Sequence, residues 1–374
     1  MRILLDYRPA LRQRTGVGEY VHELARELAA MTTPTTDEIT LFSASWKDRL
    51  SPEVIPGVGT LDRKISVRLL NLAWHRFEWP PIETVSGTTF DVVQSFHPML
   101  VPSERAAQVV TVADLDFLDH PERTRAEIRR DYPALAASHA TRADRVVTIS
   151  RATADDVERR LGVPASKISV CYPGRPDWRP RDAEPDAASA CVLFLGTLEP
   201  RKNLGVLLDA YERLLARMPA APPLVLAGGT TPDSAPIVAR ASAPPLAGHV
   251  TLTGYVNAGE REALYRRALV FVMPSHTEGF GMPALEAMTV GVPVVAANRG
   301  ALPEVVGDAG RLIDPADPEA LATTLADLLD DRAARLRMRE AGLAQSRRFE
   351  WRDAARELRA AWALAIEARQ RRHG

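Results

Sequence analysis

A chain of 374 residues with 46% hydrophobic and 25% charged side chains is too long for one comfortable core, so two domains are expected. Its 47 basic and 48 acidic residues leave a net charge of −1, which excludes the global basic bias of a nucleic-acid binder. Two cysteines, Cys171 and Cys191, both in apolar surroundings, exclude a disulfide scaffold; no residues show metal-ligand spacing. No apolar run reaches the roughly 18 residues needed to span a bilayer. Asp6 interrupts the opening apolar run too early for a signal peptide, so a cytoplasmic chain is expected.

The first strand is residues 2–7, RILLDY. The loop after it holds Arg8, Arg12, Arg14, Gly16 and Gly18, and a helix is predicted from about 19 to 28. Gly-Val-Gly before a helix offers backbone N–H groups to an anion. Val21 stands where a dinucleotide fingerprint needs its third glycine, so a nicotinamide-dependent enzyme is the least favoured reading. Residues 39–44 form the next strand. Residues 63–79, RKISVRLLNLAWHRFEW, interleave basic residues with Leu69, Leu70, Leu72, Trp74, Phe77 and Trp79. The preferred reading is a helix burying its apolar side. The other is a cationic, aromatic surface for lipid headgroups or a lipid-linked acceptor. Further strands are predicted at 91–96, ending at His97, at 108–117 across Ala113-Asp114, at 145–150 and at 167–174. Ser150 is the expected cap of a helix near 152–161.

Residues 176–189 are rich in proline and charge and are read as a linker between a first domain, 1–175, and a second, 190–350. Strands follow at 190–196, 223–228, 249–254, 269–274 and 292–297. In residues 351–374, Trp351, Ala355, Leu358, Trp362 and Ala365 recur at helical spacing, a stripe for packing on another surface. Strands alternating with helices make this an α/β chain of two doubly wound halves, with ligands expected at the carboxyl ends of parallel strands.

The stretch 271–291, FVMPSHTEGFGMPALEAMTVG, carries the strongest signal for a site. A buried strand leads to Gly279, Phe280 and Gly281, then to a helix opened by Pro283 and stopped by Gly291. Glu278 in the loop and Glu286 on the helix could both reach one polar ligand, since carboxylates suit vicinal hydroxyls. A pair of surface glutamates is the bland alternative. Arg201 and Lys202 follow the strand at 190–196 and suit a diphosphate, one as a planar fork and one as a point charge. Asp114-Leu115-Asp116 spells an acidic pair of a kind that can hold a divalent metal, but such short patterns arise readily by chance.

The run EGFGMPALEAMTVGVPVVAANRGALPEVVGDAGRLIDP closely resembles the signature of family-4 retaining glycosyltransferases of the GT-B fold. The resemblance continues in GTLEPRKNL (196–204), LTGYV (252–256) and TGVGEY (15–20), so it covers nearly the whole chain. It implies two Rossmann-like domains facing a cleft, a last helix that returns to the first domain, and transfer of a hexose from a nucleotide sugar with retention. By this resemblance Glu278 and the backbone of Gly279, Phe280 and Gly281 orient the sugar, while Arg201 and Lys202 stabilise the departing diphosphate. Glu286 binds ribose, Tyr255 and Val256 border the base, and Gly16, Gly18 and Gly196 line the donor. Family members commonly carry His where this chain has Ala113, within an otherwise matching TVADLDFLDHPE. His97 and Asp114 are then candidates for sugar or acceptor contacts, with His120 also nearby. The departure also opens a second reading, a catalytically impaired GT-B protein acting as a nucleotide-sugar-binding partner or scaffold. No metal and no cofactor are expected. The partners implied are a nucleotide-sugar donor, with GDP-mannose suggested by similarity to bacterial mannosyltransferases, and a glycan or lipid-linked acceptor. No nucleic acid is expected; peripheral contact with the inner face of a membrane is.

Overall fold

The structure is a computed structural model that describes residues 1–11, 14, 16–32, 37–120 and 131–373. Arg12 and Thr15, from the N-terminal glycine loop, lie outside the described residues, as do residues 121–130. The chain divides into two compact units, Met1–Gly174 with Glu350–Gly374, and Arg175–Phe349.

Among the described residues the first unit holds seven parallel strands: β1 (Arg2–Asp6), β2 (Glu38–Ala44), β3 (Gly59–Arg63), β4 (Val92–Ser95), β5 (Ala107–Val112), β6 (Arg145–Thr148) and β7 (Ile168–Val170). Their spatial order is β3-β2-β1-β4-β5-β6-β7. The second unit holds six: β8 (Cys191–Leu195), β9 (Leu224–Ala227), β10 (Val250–Gly254), β11 (Ala268–Met273), β12 (Val294–Ala297) and β13 (Arg311–Ile313). Their order is β10-β9-β8-β11-β12-β13, again all parallel. Strand order reverses at β1/β4 in one unit and at β8/β11 in the other, the crevices where such sheets take ligands. Interior strands such as β9 and β12 are buried throughout, because helices cover both faces of a parallel sheet. That is why their sequences read as unbroken apolar runs.

Sequence periodicity overlooks β3 (GTLDR) and β13 (RLI). Both are edge strands, only partly covered, so neither needs an apolar run. The strand predicted over 108–117 stops at Val112, since the Asp114 carboxylate accepts the N–H of Asp116 at 3.2 Å and turns the chain into a short helix, Asp116–Asp119. The first helix, Val17–Met31, starts two residues earlier than expected. Gly18 therefore lies inside it, where a Cβ would come within 2.8 Å of the Pro9 carbonyl oxygen.

The helix Val67–Phe77 buries Leu70 and Trp74 in a core with Phe42, Ile82 and Val93, but leaves Leu69, Leu72 and Phe77 outside it. The reading that puts the whole apolar side in the core is thus right for one face only. The residues read as a linker belong to the second unit. Arg181 is buried there, donating its N–H to Val290 and its guanidinium to the Ala268 carbonyl, and Glu184 pairs with Arg332 and Arg335 at 3.0 and 2.7 Å. The final helix, Trp351–His373, docks on the first unit. Trp362 is buried and donates its indole N–H to Gln94 on β4 at 3.1 Å.

Candidate active site

In the second unit the carboxyl ends of β8 and β11 meet at the point where strand order reverses. After β8 the chain passes Gly196 and enters a turn of 3-10 helix, Pro200–Lys202. Asn203 closes this turn in the left-handed conformation, φ 55°, and its side chain donates to the carbonyls of Pro274 and Pro315 at 3.0 and 2.7 Å. The N–H of His276 donates to the Arg201 carbonyl at 2.9 Å. These bonds tie the loop after β8 to the loop after β11.

The result is an ion cluster. Lys202 Nζ donates to Glu278 Oε1 at 2.6 Å, and Arg201 Nη1 donates to Oε2 at 3.0 Å. Arg201 Nε also pairs with Glu199 at 2.7 Å. Lys202 and Glu278 are both buried. Burial pushes the Glu278 carboxyl up, but the adjacent Lys202 and Arg201 charges outweigh it and hold the group below its ordinary range. Arg201, Lys202 and Glu278, each singled out in the sequence, are therefore in direct contact.

Glu278 leads into the helix Met282–Val290, whose cap, Gly281, has φ 104°. A Cβ there would lie 2.7 Å from Leu302, so only glycine fits the turn. Gly279 is buried beside it. The Phe280 side chain is buried edge-on against Phe349, with ring centroids 5.4 Å apart. Only its backbone is available for the donor-side role expected of it. Glu286, one turn into the helix, is buried as well. The Tyr265 hydroxyl donates to Oε2 at 2.9 Å, and Arg261 reaches Oε1 at 3.3 Å. Tyr265 and Arg261 lie four apart on the helix Ala258–Arg267, so they share a face. The Arg261 guanidinium also sits over the Trp178 ring, 5.5 Å from its centroid. Burial, with the Glu286 charge adding to it, pushes the Tyr265 hydroxyl well above its ordinary pKa and keeps it a donor. Two buried carboxylates, each held on both oxygens, are not the surface pair of the bland reading.

Tyr255 and Val256 follow β10, Tyr255 exposed and Val256 half-buried. Gly196 lies beside the Lys202 stem, where a Cβ would be 3.5 Å from Cε.

The first unit has its own polar cluster at the β1/β4 reversal. Asp6 is buried and accepts two bonds from the Arg8 guanidinium, both 2.7 Å; His97 Nε2 is 3.3 Å from the same carboxylate. Burial pushes Asp6 up, but Arg8 outweighs it and holds the carboxyl well below the usual range. Arg8 Nη1 also donates to Asn71 at 2.8 Å, and its guanidinium lies over the Trp74 ring. His97 Nδ1 accepts the Met99 N–H at 3.2 Å. His97 is thus engaged on both nitrogens, a positioned group and not a loose loop histidine. His75 lies behind it, buried, with neither ring nitrogen bonded. Asp114 is half-buried, its carboxylate engaged by its own loop. Gly16 caps the first helix at φ 50°, and Gly18, packed on Pro9, presents no open notch.

Sequence reasoning passed over Asp6, Asn71, His75, Glu199, Tyr265 and Arg261 as parts of these clusters. Only the i, i+4 spacing of Arg261 and Tyr265 gave a local signal.

Among the described residues no group of three or more His, Cys, Asp or Glu side chains is arranged to hold a metal ion. The surroundings of Glu278 instead combine one buried and one half-buried cation, a carboxylate and the start of a helix, suited to hydroxyls beside an anionic diphosphate.

Two family descriptions match the chain: "Glycosyltransferase Family 4" over residues 14–177 and "Glycosyl transferases group 1" over residues 179–345. The chain is 29% identical over 369 residues to the O-antigen chain mannosyltransferase B of Escherichia coli, covering 94% of this chain and 96% of that one. It is 27% identical over 412 residues to the D-inositol 3-phosphate glycosyltransferase of Streptomyces avermitilis, covering 98% and 86%. In fold it is similar to sucrose-phosphate synthase from Thermosynechococcus elongatus, with a TM-score of 0.76, 19% identity and 98% and 100% of the two chains covered. It is likewise similar to Anabaena HepE in complex with UDP and glucose, with a TM-score of 0.72, 18% identity and 97% and 99% covered. The two matched families, adjacent along the chain, and the two parallel sheets place it together with those folds: it is a family-4 glycosyltransferase of the GT-B fold.

Proposed function

We propose that this glycosyltransferase moves a hexose from a nucleoside diphosphate sugar to a glycan or lipid-linked acceptor, with retention at the anomeric carbon and without a metal. The observation that carries the reading is the contact of Glu278 with both Lys202 and Arg201 at the β8/β11 reversal. In the transfer, the bond from the anomeric carbon to the diphosphate oxygen breaks and its electrons leave with the diphosphate. The acceptor oxygen bonds to the same face, and its proton passes to the departing phosphate oxygen. Lys202 and Arg201 stabilise the charge growing on the diphosphate. Glu278 and the backbone at 279–281 orient the sugar, and Glu286 receives the ribose hydroxyls. Gly196, Tyr255 and Val256 border the donor, and His97 and Asp114 are proposed for sugar or acceptor contacts. Mannose from GDP-mannose is the proposed donor group, supported by the mannosyltransferase relative that spans 94% of this chain. The proposed setting is the cytoplasm, including the inner face of a membrane.

Thermal shift across a panel of nucleotide sugars tests the donor, because a ligand that binds only the folded state raises Tm. Product NMR then tests retention. Ala113, where the family commonly has His, favours a second reading, a catalytically impaired nucleotide-sugar-binding protein. Donor binding without any transferred sugar would establish that reading in place of the first.

A further inference from the structure

The final helix, Trp351–His373, buries two tryptophans in the first unit, and both lead to residues 94–97. Trp351 and Trp362 lie eleven positions apart, about three turns, so they share a face. Trp362 donates its indole N–H to Gln94 Oε1 at 3.1 Å. The Gln94 amide nitrogen in turn donates to the Ser95 carbonyl at 2.7 Å and to Thr111 Oγ1 on β5 at 3.0 Å. Ser95 Oγ donates to the His97 carbonyl at 3.1 Å. Between them Phe96 packs edge-on against Tyr20, with ring centroids 6.0 Å apart, and Tyr20 packs on Trp351 at 5.9 Å. Trp351 is closely seated: a Cβ on Gly174 would come within 2.2 Å of its backbone nitrogen.

Packing alone does not account for this arrangement. Gln94 is fully buried on an interior strand, where valine or isoleucine would fill the space without desolvating an amide. Both ends of its amide are bonded, and a bonded buried amide fixes a direction that an apolar side chain leaves open. What it fixes is the segment that ends at His97. The Met99 N–H donates to His97 Nδ1 at 3.2 Å, so the neutral ring carries its proton on Nε2, which faces Asp6 at 3.3 Å. His97 is half-buried at the β1/β4 reversal, so its ring is held while part of it stays open to water.

We propose that Trp362, through Gln94, and Trp351, through Tyr20 and Phe96, are positioning residues that hold His97 at the carboxyl end of β4. The final helix thus sets the imidazole that the first unit offers to the sugar or acceptor. For its consequence in transfer the inference rests on the proposed sugar or acceptor contact of His97. The positioning itself rests on the hydrogen bonds and ring contacts alone.

Amide exchange read by NMR on the full chain tests the positioning with neither donor nor acceptor present. Trp362→Phe removes the indole donor, Gln94→Met removes the amide at similar length, and Tyr20→Leu removes the ring between Phe96 and Trp351. In each, the Met99 amide, bonded to the His97 ring, should exchange at least about tenfold faster relative to amides in the middle of β1 and β5. A merely structural loss would speed all of these amides alike, and the melting temperature serves as the folding control. Transfer from GDP-mannose to octyl α-mannoside tests the consequence. Trp362→Phe should lower kcat/KM for that acceptor roughly ten- to a hundredfold and leave the donor KM unchanged. Added to His97→Ala it should cause no further loss, because it acts through that ring. The proposal is wrong if Met99 keeps its wild-type exchange ratio in any of the folded variants, or if the losses from Trp362→Phe and His97→Ala multiply. Full turnover in His97→Ala, with the exchange change intact, would instead overturn the sugar or acceptor contact of His97 and leave the positioning standing.

Discussion

Replacing Lys202 with methionine probes the ion cluster directly. The change keeps most of the buried stem and removes only the ammonium, so it leaves Glu278 buried with Arg201 as its remaining cation, at 3.0 Å. Deleting one member of a buried ion pair costs about 3–5 kcal/mol, and the surviving Arg201 contact points to the lower end. For a unit the size of Arg175–Phe349, each kcal/mol moves Tm by about 2–4 °C, so a fall of roughly 6–12 °C is expected. Glu278→Gln should lower Tm as well, and it should also flatten an acid limb. The folded Glu278 carboxyl lies below its ordinary value of 4.5, so its contribution is present above that pH and is lost as pH falls through the folded value. The double variant, with no charge left unpaired between the two positions, should recover part of the loss, a coupling of about 1–3 kcal/mol. Turnover follows a different pattern: Lys202→Met should lose about 10²–10³ in kcat, and the double variant should not recover it, because the diphosphate still lacks its cation. Calorimetry and steady-state kinetics on the four proteins provide the readings. Additive Tm changes would refute the direct pairing, and near-wild-type turnover in Lys202→Met would remove Lys202 from the chemistry.

Glu286→Gln and Tyr265→Phe should both weaken binding of the free nucleoside diphosphate, Tyr265→Phe by roughly three- to tenfold through one lost hydrogen bond to the carboxylate, with little change in kcat. Calorimetric titration checks this, and equal losses with a 2′,3′-dideoxy analogue would show that Glu286 is not held for ribose. Glu199→Gln should instead tighten diphosphate binding about three- to tenfold, because it frees Arg201 from a competing carboxylate 2.7 Å away; unchanged affinity would mean that Arg201 does not meet the diphosphate. Activity should survive excess EDTA, and loss restored by magnesium or manganese would overturn the metal-free proposal and promote Asp114 and Asp116 as ligands. Burial, with the nearby His97, Arg8 and His139 charges, pushes His75 down to about 3, so it favours the folded state above about pH 6.5 and loses that contribution as pH falls toward 3. His75→Phe should reduce this slope at little cost in neutral stability, since neither ring nitrogen is bonded; a large Tm loss at pH 7 would contradict it.

Elements whose signals are local can be read from the order of amino acids. Apolar runs mark the buried strands, since parallel strands covered on both faces need no alternation. Glycine and proline mark the turn at Gly281 and the helix stop at Gly291, because backbone geometry leaves few residues able to serve there. The motif at 278–286 is therefore legible from residue types and spacing. What those residues touch is a matter of tertiary structure. Lys202 and Glu278 are 76 positions apart and meet only because β8 and β11 are neighbours where strand order reverses. Arg261 and Tyr265 reach Glu286, and His97 reaches Asp6, for the same reason: the order of elements in the sheet sets long-range contact, and local periodicity carries no record of it. Nor can periodicity tell which apolar residues of 67–77 face the core, because leucines occur on both faces of that helix. Packing buries Leu70 and Trp74 and leaves Leu69, Leu72 and Phe77 in water.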